Sequence, residues 1–257
     1  MREEFRKKAP EDSEDRLEGR NAVLEAIRSG RTIDKVFIAA GETDKGLQRL
    51  AAEAKEIGAV VVPVDRRKLD AMSTTNAHQG VIAQVAAKEY VSVDEILQTA
   101  ADRGEAPLIV ICDELTDPHN LGAIIRSAEC AGAHGVIIPK RRSVGLTAVV
   151  AKASAGAVNY MKVARVTNIN STISDLKEKG VWVFGTASEG SVPMYRADLT
   201  IPAAIVIGSE GEGMSRLVQK NCDVTVSIPM NGKISSLNAS SAAAILLYEA
   251  VRQRLQK

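Results

Sequence analysis

Aromatic residues are scarce: three Phe, four Tyr and one Trp make up only 3% of the 257 residues. A core of stacked rings is therefore excluded, and the 45% hydrophobic fraction, typical of a globular protein, must pack through Ala, Val, Ile and Leu. Cysteine is equally sparse. Cys112, Cys130 and Cys222 lie far apart, no pair has metal-ligand spacing, and three is an odd count, so free thiols in a reducing compartment are expected and no metal centre. No apolar run approaches the ~18 residues of a membrane span. The N-terminal "MREEFRKKAPEDSEDR" has no apolar stretch of the signal-peptide kind, so a soluble cytoplasmic protein is expected. Charge of one sign is lacking too: the net charge is +1. It is unevenly placed, with 17 basic and 20 acidic residues over 1–106 against 16 and 12 over 107–257. That imbalance alone is a weak sign of a polyanionic partner.

What is present reads as two folded regions. Residues 1–16 are mostly charged and predict a disordered tail, in which Arg6, Lys7 and Lys8 are basic. Over 17–87 the pattern alternates: helix in "GRNAVLEAIRSG", strand in "DKVFIAA", helix in "DKGLQRLAAEAKEIG", strand in "AVVVPVD", a helical turn in "RRKLDAMS" and strand in "QGVIAQVA". This predicts a small α/β domain. Residues 88–106, with one helix and the Gly104/Pro107 punctuation, predict a linker. From Pro107 onward the strands are continuous apolar runs, "LIVICDEL", "GVIIP", "VWVFGTA", "AAIVIGSEG" and "VTVSIPM", with helices between most of them. Such runs predict a mostly parallel sheet covered on both faces over 107–257.

In an open α/β sheet, ligands bind at the carboxyl ends of the strands. The segments that follow four of these runs are "TDPHNLGAIIRSAE", "TASEG", "GSEGEGMS" and "MNGKISSLN", all rich in glycine and small polar residues. Their convergence on one edge predicts a ligand site. Taken singly each is weak. "GSEGEG" spaces its glycines G-x-x-G-x-G, not as the dinucleotide fingerprint, and Gly232–Lys233 lacks the upstream glycine of a phosphate loop. No G-x-S-x-G elbow is present. His119 lies in one of the loops and is a candidate general base, while His78 and His134 read as surface or packing residues. "IPMNGKISSLNASSAAAILLYEA" places Ser and Asn against the start of an apolar helix, which fits both an elaborate helix cap and a ligand cradle.

Three segments together, "DPHNLGAIIRSAECAGAHGVII", "IVIGSEGEGMS" and "SIPMNGKISSLNASSAAAILLYEA", resemble in order and spacing the motifs of the SpoU/TrmH (SPOUT-class) RNA ribose 2′-O-methyltransferases. "GRNAVLEAI…DKVFIA…HQGVIA" resembles the accessory RNA-binding domain of the subgroup that methylates a guanosine of bacterial 23S rRNA. The resemblance implies a deep trefoil knot, S-adenosylmethionine as cofactor, an rRNA partner and a homodimer formed through the C-terminal domain. It implies cofactor contacts at Thr186, Gly208, Ile228, Met230 and Leu237, chiefly through backbone. It places Arg126 at the reaction centre, with Asn120, Glu210, Ser236 and Asn238 as the other polar members. The residues alone offer simpler roles for these last four: helix caps for Asn120, Ser236 and Asn238, and a loop salt bridge for Glu210. Two other functions stay open, a tRNA ribose methyltransferase and an inactive RNA-binding or ribosome-assembly protein on the same fold.

Overall fold

The computed structural model describes residues 15–41, 44–188 and 192–256, so the first fourteen residues of the expected tail, Arg6, Lys7 and Lys8 included, lie outside the described residues. The chain divides into two compact units. The first takes in residues up to Glu89 together with Leu146–Val149, and the second holds Tyr90–Gly145 and Val150 onward.

The first unit is a four-stranded sheet built from β1 (Arg16–Glu18), β2 (Ile33–Ala39), β3 (Val60–Val64) and β4 (Val81–Val85) in the order β1-β4-β2-β3. Only the β2/β3 pair is parallel. Pro63 sits in β3, an edge strand, where a missing N–H costs no ladder bond. Helices α1 (Arg20–Arg28) and α2 (Lys45–Glu56) share a core with Val36, Val81 and Ala83, while Leu69 of α3 (Arg66–Met72) packs with Ile82 and Val64. The alternation along each strand sends neighbouring residues to opposite faces, which explains the two separate cores. β1 begins inside the stretch expected to be tail. It pairs with β4, and its Glu18 carboxylate organises the segment after α3. Ser73 Oγ donates to it at 2.5 Å, Thr74 N–H at 2.6 Å and Thr75 N–H at 3.2 Å, and the Thr74 and Thr75 hydroxyls add two more bonds. Partial burial pushes this carboxyl up, but the five donors outweigh it and hold the pKa at about 2. Just beyond, buried His78 accepts from Gly80 N–H through Nδ1 and meets Asp70 through Nε2 at 2.9 Å.

In the second unit, seven strands form one sheet: β5 (Leu108–Cys112), β6 (Gly135–Pro139), β7 (Val163–Val166), β8 (Trp182–Thr186), β9 (Val192–Pro193), β10 (Ala203–Ile207) and β11 (Val224–Ser227). Their order is β7-β6-β5-β10-β8-β11-β9 and every pairing is parallel. β5 and β10 are buried at every position, as expected of apolar runs in a doubly covered sheet. One face packs against α4 (Val93–Arg103), α7 (Ile169–Glu178) and α8 (Arg216–Asn221), with Ile96, Ile173, Leu176 and Val218 meeting Ile109, Ile111, Ile137 and Val206. The other face belongs to α5 (Pro118–Cys130) and α9 (Ala239–Arg254), which pack on each other and, through α9, on β10. The short α6 (Ala148–Ala153) follows β6, and Gly122 of α5 lets it approach: a Cβ there would fall 2.5 Å from the Ala153 Cβ.

Three expectations need correction. Most of the stretch 88–106 is part of the second unit and not a free linker. Ser92 and Glu95 form a reciprocal cap on α4, Ile96 and Ala100 are fully buried, and Gly135 is bare so that Ile96 can lie against β6. β7 and β9 are not among the expected strands; β7 is only four residues long and half of it is partly exposed, so it gives no long apolar run. Finally, His134 and His78 are buried, so the surface alternative for them fails. His134 accepts from Leu108 N–H and meets Glu105 at 3.0 Å, and burial keeps its pKa below the usual histidine range despite that carboxylate.

The end of α9 is pinned by Arg254, whose guanidinium donates to the carbonyls of Leu199 at 3.0 Å, Ala106 at 2.6 Å, Pro107 at 2.9 Å and Ile201 at 2.9 Å. All four carbonyls precede β5 or β10, so this staple closes the amino edge of the sheet.

Glu18→Gln should lower the melting temperature of the first unit at pH 7 by a few degrees, the scale of about 1 kcal/mol from charge-assisted bonds reduced to neutral ones. The wild-type pKa is depressed from 4.5 to about 2, so the advantage of Glu18 is fully present above pH 4.5 and is lost as pH falls toward 2. Thermal melts at pH 7, 4 and 2.5 should show the gap between the two proteins closing. A gap independent of pH would mean that the carboxylate is not what holds the segment.

Candidate active site

At the carboxyl edge of the seven-stranded sheet, the segments after β8, β10 and β11 surround a cavity of about 520 Å³. Thr186, Gly208, Ile228, Met230 and Leu237, the five positions expected to touch a cofactor, all line it. So do Glu210 and Ser236.

The loop after β10 is shaped by one glycine. A Cβ at Gly208 would fall 2.2 Å from the Gly213 carbonyl carbon and 2.3 Å from Met214 N, so only glycine lets the loop fold back on itself. Ser209 and Gly213 then exchange backbone bonds at 3.0 and 2.9 Å, with Gly213 at φ 69. The far end of the loop is anchored by Asp113, buried after β5, which accepts from Ser215 N–H at 2.7 Å. Ser215 is the N-cap residue of α8, yet its own side chain caps nothing.

Three polar residues meet beside the cavity: Asn120 from the first turn of α5, Glu210 from the loop after β10 and Asn238 from the start of α9. Asn238 is the N-cap of α9, its Oδ1 accepting from Ser240 N–H at 3.0 Å, Ser241 N–H at 3.3 Å and Ser240 Oγ at 2.6 Å. With Oδ1 committed to the helix, Nδ2 faces the other way and donates to Asn120 Oδ1 at 2.9 Å and to Glu210 Oε1. Asn120 in turn donates to Glu210 Oε1 at 3.0 Å. Glu210 thus has one oxygen held by two amides. Asn238 thus caps α9 with its oxygen and reaches Glu210, a residue that lines the cavity, with its nitrogen. Asn120 is not a cap: Asp117 fills that role for α5, accepting from His119 N–H at 2.9 Å, with Pro118 at the first helical position. Glu210 forms hydrogen bonds and no ion pair among the described residues. Ser236 lines the cavity and caps no helix.

Arg126 stands apart. It lies on the exposed side of α5, does not line the cavity, and has no hydrogen-bond or ion-pair partner among the described residues. His119 is likewise exposed and outside the cavity. Sequence reasoning missed Asp113, whose position at the end of a wholly buried strand is the one signal that could have marked it. Cys112 and Cys222 are thiols pushed up to about 12 by burial, neither of them a nucleophile at neutral pH. Among the described residues no group of His, Cys, Asp or Glu could hold a metal ion, and no helix is long and apolar enough to cross a membrane.

Asn238→Asp keeps an oxygen for the α9 cap but turns a carboxylate toward Glu210, and two carboxylates sharing a site raise one pKa strongly. The shared proton binds the folded state more tightly than the unfolded one, so this variant should be least stable relative to wild type near pH 8 and recover as pH falls to 5. Asn238→Ala should cost about 1 kcal/mol through the lost cap at both pH values. Urea unfolding at pH 5 and pH 8 checks both, and equal losses for Asn238→Asp at the two pH values would separate Asn238 from Glu210.

The sequence model of the SpoU rRNA methylase family matches residues 107–248, and that of the RNA 2′-O ribose methyltransferase substrate-binding domain matches residues 16–91. A Bacillus subtilis protein, YacO, whose name assigns it to the TrmH family of tRNA/rRNA methyltransferases, is 48% identical over 236 residues, 92% of this chain and 94% of its own. A Staphylococcus haemolyticus protein of the same family name is 48% identical over 93% and 95% of the two chains. Among solved structures, the SpoU methyltransferase AviRb of Streptomyces viridochromogenes, in complex with the cofactor AdoMet, is 28% identical with a TM-score of 0.61, over 94% of this chain and 91% of that one. An AdoMet-bound rRNA methyltransferase of Sinorhizobium meliloti is 26% identical with a TM-score of 0.58, over 92% and 86%. Matched across both of its units, this chain belongs to the SpoU/TrmH family of RNA methyltransferases.

Proposed function

We propose that the protein uses S-adenosylmethionine to methylate the 2′-hydroxyl of a ribose in 23S rRNA, a guanosine, acting in the cytoplasm as a homodimer through its second unit. The observation that carries this reading is the cavity at the carboxyl edge, where all five expected cofactor positions meet the Asn120–Glu210–Asn238 network. Its size suits a small cofactor, and its glycine-closed loop leaves backbone groups open to a ligand. We also propose that segment 228–238 threads a deep knot, supported by its position between β11 and a helix packed back on α5. The rRNA target is favoured by the match of residues 16–91 to a substrate-binding domain. A solved structure that covers only 59% of this chain is described as a TrmH/SpoU tRNA modifying enzyme of A. aeolicus, which keeps tRNA as the second reading.

When bound, S-adenosylmethionine supplies an electrophilic methyl group and leaves as a neutral thioether. The work left to the protein is to hold a weak nucleophile in line. Gly208, Ile228 and Leu237 would hold the adenosine part through backbone, with Thr186 and Met230 closing the sides. Glu210, oriented by two amides, lines the cavity where the ligand would sit. Ser236 and Asn238 keep the last loop in place. Arg126, with its guanidinium exposed and unpaired among the described residues, is suited to grip an RNA phosphate and steady the developing alkoxide, with no need to lose a proton.

Titration calorimetry with S-adenosylmethionine should show binding to the full chain. Gly208→Ala should abolish it, because the added methyl overlaps backbone. Loss of the site should leave the melting transition in place. A wild-type protein with no binding heat would end the cofactor assignment.

Arg126→Lys keeps the charge and loses the planar fork. Single-turnover transfer of labelled methyl to rRNA from cells lacking this gene should fall by about a hundredfold at saturating RNA, with cofactor affinity unchanged. A rate near wild type would remove Arg126 from the reaction. Mapping ribose methylation in total RNA from cells with and without the gene decides between rRNA and tRNA.

A further inference from the structure

The carboxyl edge carries a second feature that the cavity does not use. β6 ends at Pro139 and runs directly into Lys140, Arg141 and Arg142, while Arg165 occupies β7 opposite Ile138. Four cations are therefore gathered at the ends of two adjacent strands. Because every pairing in the sheet is parallel, these ends face the same edge as the ends of β8, β10 and β11 around the cavity. Strands in a sheet lie about 4.8 Å apart, so the end of β6 is displaced about 10 Å from that of β10, and β7 about 14 Å. An RNA strand whose ribose sits at the cavity would pass over them within a few nucleotides.

The cluster is held, not merely solvated. Arg142 has a left-handed backbone, φ 56, as does Glu114 at the end of β5, also φ 56, and the two side chains pair at 3.1 Å. Such backbone is uncommon for residues with a side chain and is kept where the surroundings enforce it. Arg165 lies over the Tyr90 ring at 5.4 Å and reaches the Lys140 carbonyl at 3.5 Å. Lys140 N–H is bonded to Val166 O at 2.8 Å, which ties the turn to β7. Glu114 is the carboxylate paired within the cluster. The neighbouring Asp113 is buried against Ser215 N–H, and Asp117 is taken up by the start of α5. Arg141 is exposed and has no partner among the described residues.

We infer that Lys140, Arg141 and Arg142, with Arg165 behind them, form a phosphate track that holds the substrate RNA backbone beside the reacting nucleotide. The inference rests on reading the chain as an RNA methyltransferase. The track supplies affinity and register, not chemistry. Phosphates gripped by cations release counterions, so each one adds to the salt dependence of binding. The full-length protein with Arg141→Gln, and with Lys140→Gln and Arg141→Gln together, should be compared with Lys220→Gln, which removes one exposed charge from α8 away from this edge. The probe is a fluorescein-labelled mixed-sequence single-stranded RNA of about 20 nucleotides, titrated at several salt concentrations. Arg141→Gln should weaken binding about threefold and the double variant about tenfold near 0.1 M salt. The slope of log affinity against log salt should become shallower by about 0.7 for every phosphate that is no longer neutralised. Lys220→Gln should change neither. Cofactor binding should stay within about twofold of wild type, and the loss of methylation should appear first as a rise in the RNA concentration that gives half-maximal rate.

Unchanged affinity and slope in the double variant would overturn the track, as would a weaker affinity with an unaltered slope, or an equal effect from Lys220→Gln. The underlying reading fails separately: wild-type protein that transfers no labelled methyl to either rRNA or tRNA refutes the methyltransferase activity, whatever the RNA affinities show.

Discussion

A parallel sheet brings the carboxyl ends of all its strands to one edge, and in the second unit seven strands do so without exception. Everything functional follows from that alignment. The loops after β5, β8, β10 and β11 are far apart in sequence, yet they have no other place to go than this edge. Backbone amides at the starts of α5, α8 and α9 arrive with them. The sheet interior is fully buried over β5 and β10 and close-packed, chiefly through Val, Ile and Leu.

Within this edge, stability and site geometry are carried by the same atoms. The Asn238 carboxamide caps a 16-residue helix with its oxygen and orients Glu210 with its nitrogen. The site is therefore rigid to the extent that α9 is folded. At the opposite end of that helix, Arg254 donates to four carbonyls that precede β5 and β10, one of which, Pro107 O, also accepts from Ala203 N–H. Helix α9 is thus fastened at both edges of the sheet, spanning about 24 Å at 1.5 Å per residue. A ligand loop attached to its start is attached to the whole unit.

The first unit uses the same economy with different chemistry. Glu18 adds to the local turn chemistry of "STTNAH", where Asn76 has a left-handed backbone at φ 56 and donates its N–H to Ser73 Oγ at 2.9 Å, by accepting five further donors on one carboxylate. Nothing in the spacing of Glu18 and Ser73, separated by 55 residues, announces that partnership. The same blindness explains the misplaced linker. A helix with charged residues, followed by Gly104 and Pro107, looks like a connector until Gly135, on a strand more than thirty residues later, is seen to open the space that Ile96 fills.

Local patterning by itself determined the α/β class, most helices and strands, the parallel arrangement and the convergence of glycine-rich loops, because apolar run length, capping residues and turn chemistry act over a few neighbouring residues. Motif order carried the family and the five cavity residues. Tertiary structure alone decided which polar side chains touch. It joined Asn120, Glu210 and Asn238 into one network, left Arg126 exposed outside the cavity, and turned Lys140–Arg142 toward the same edge. It also placed the short strands β7 and β9, and drew α4 into the core. Those outcomes depend on strand order and on close approaches at Gly122 and Gly135, which are set by residues distant in the chain and so leave no local trace in the sequence.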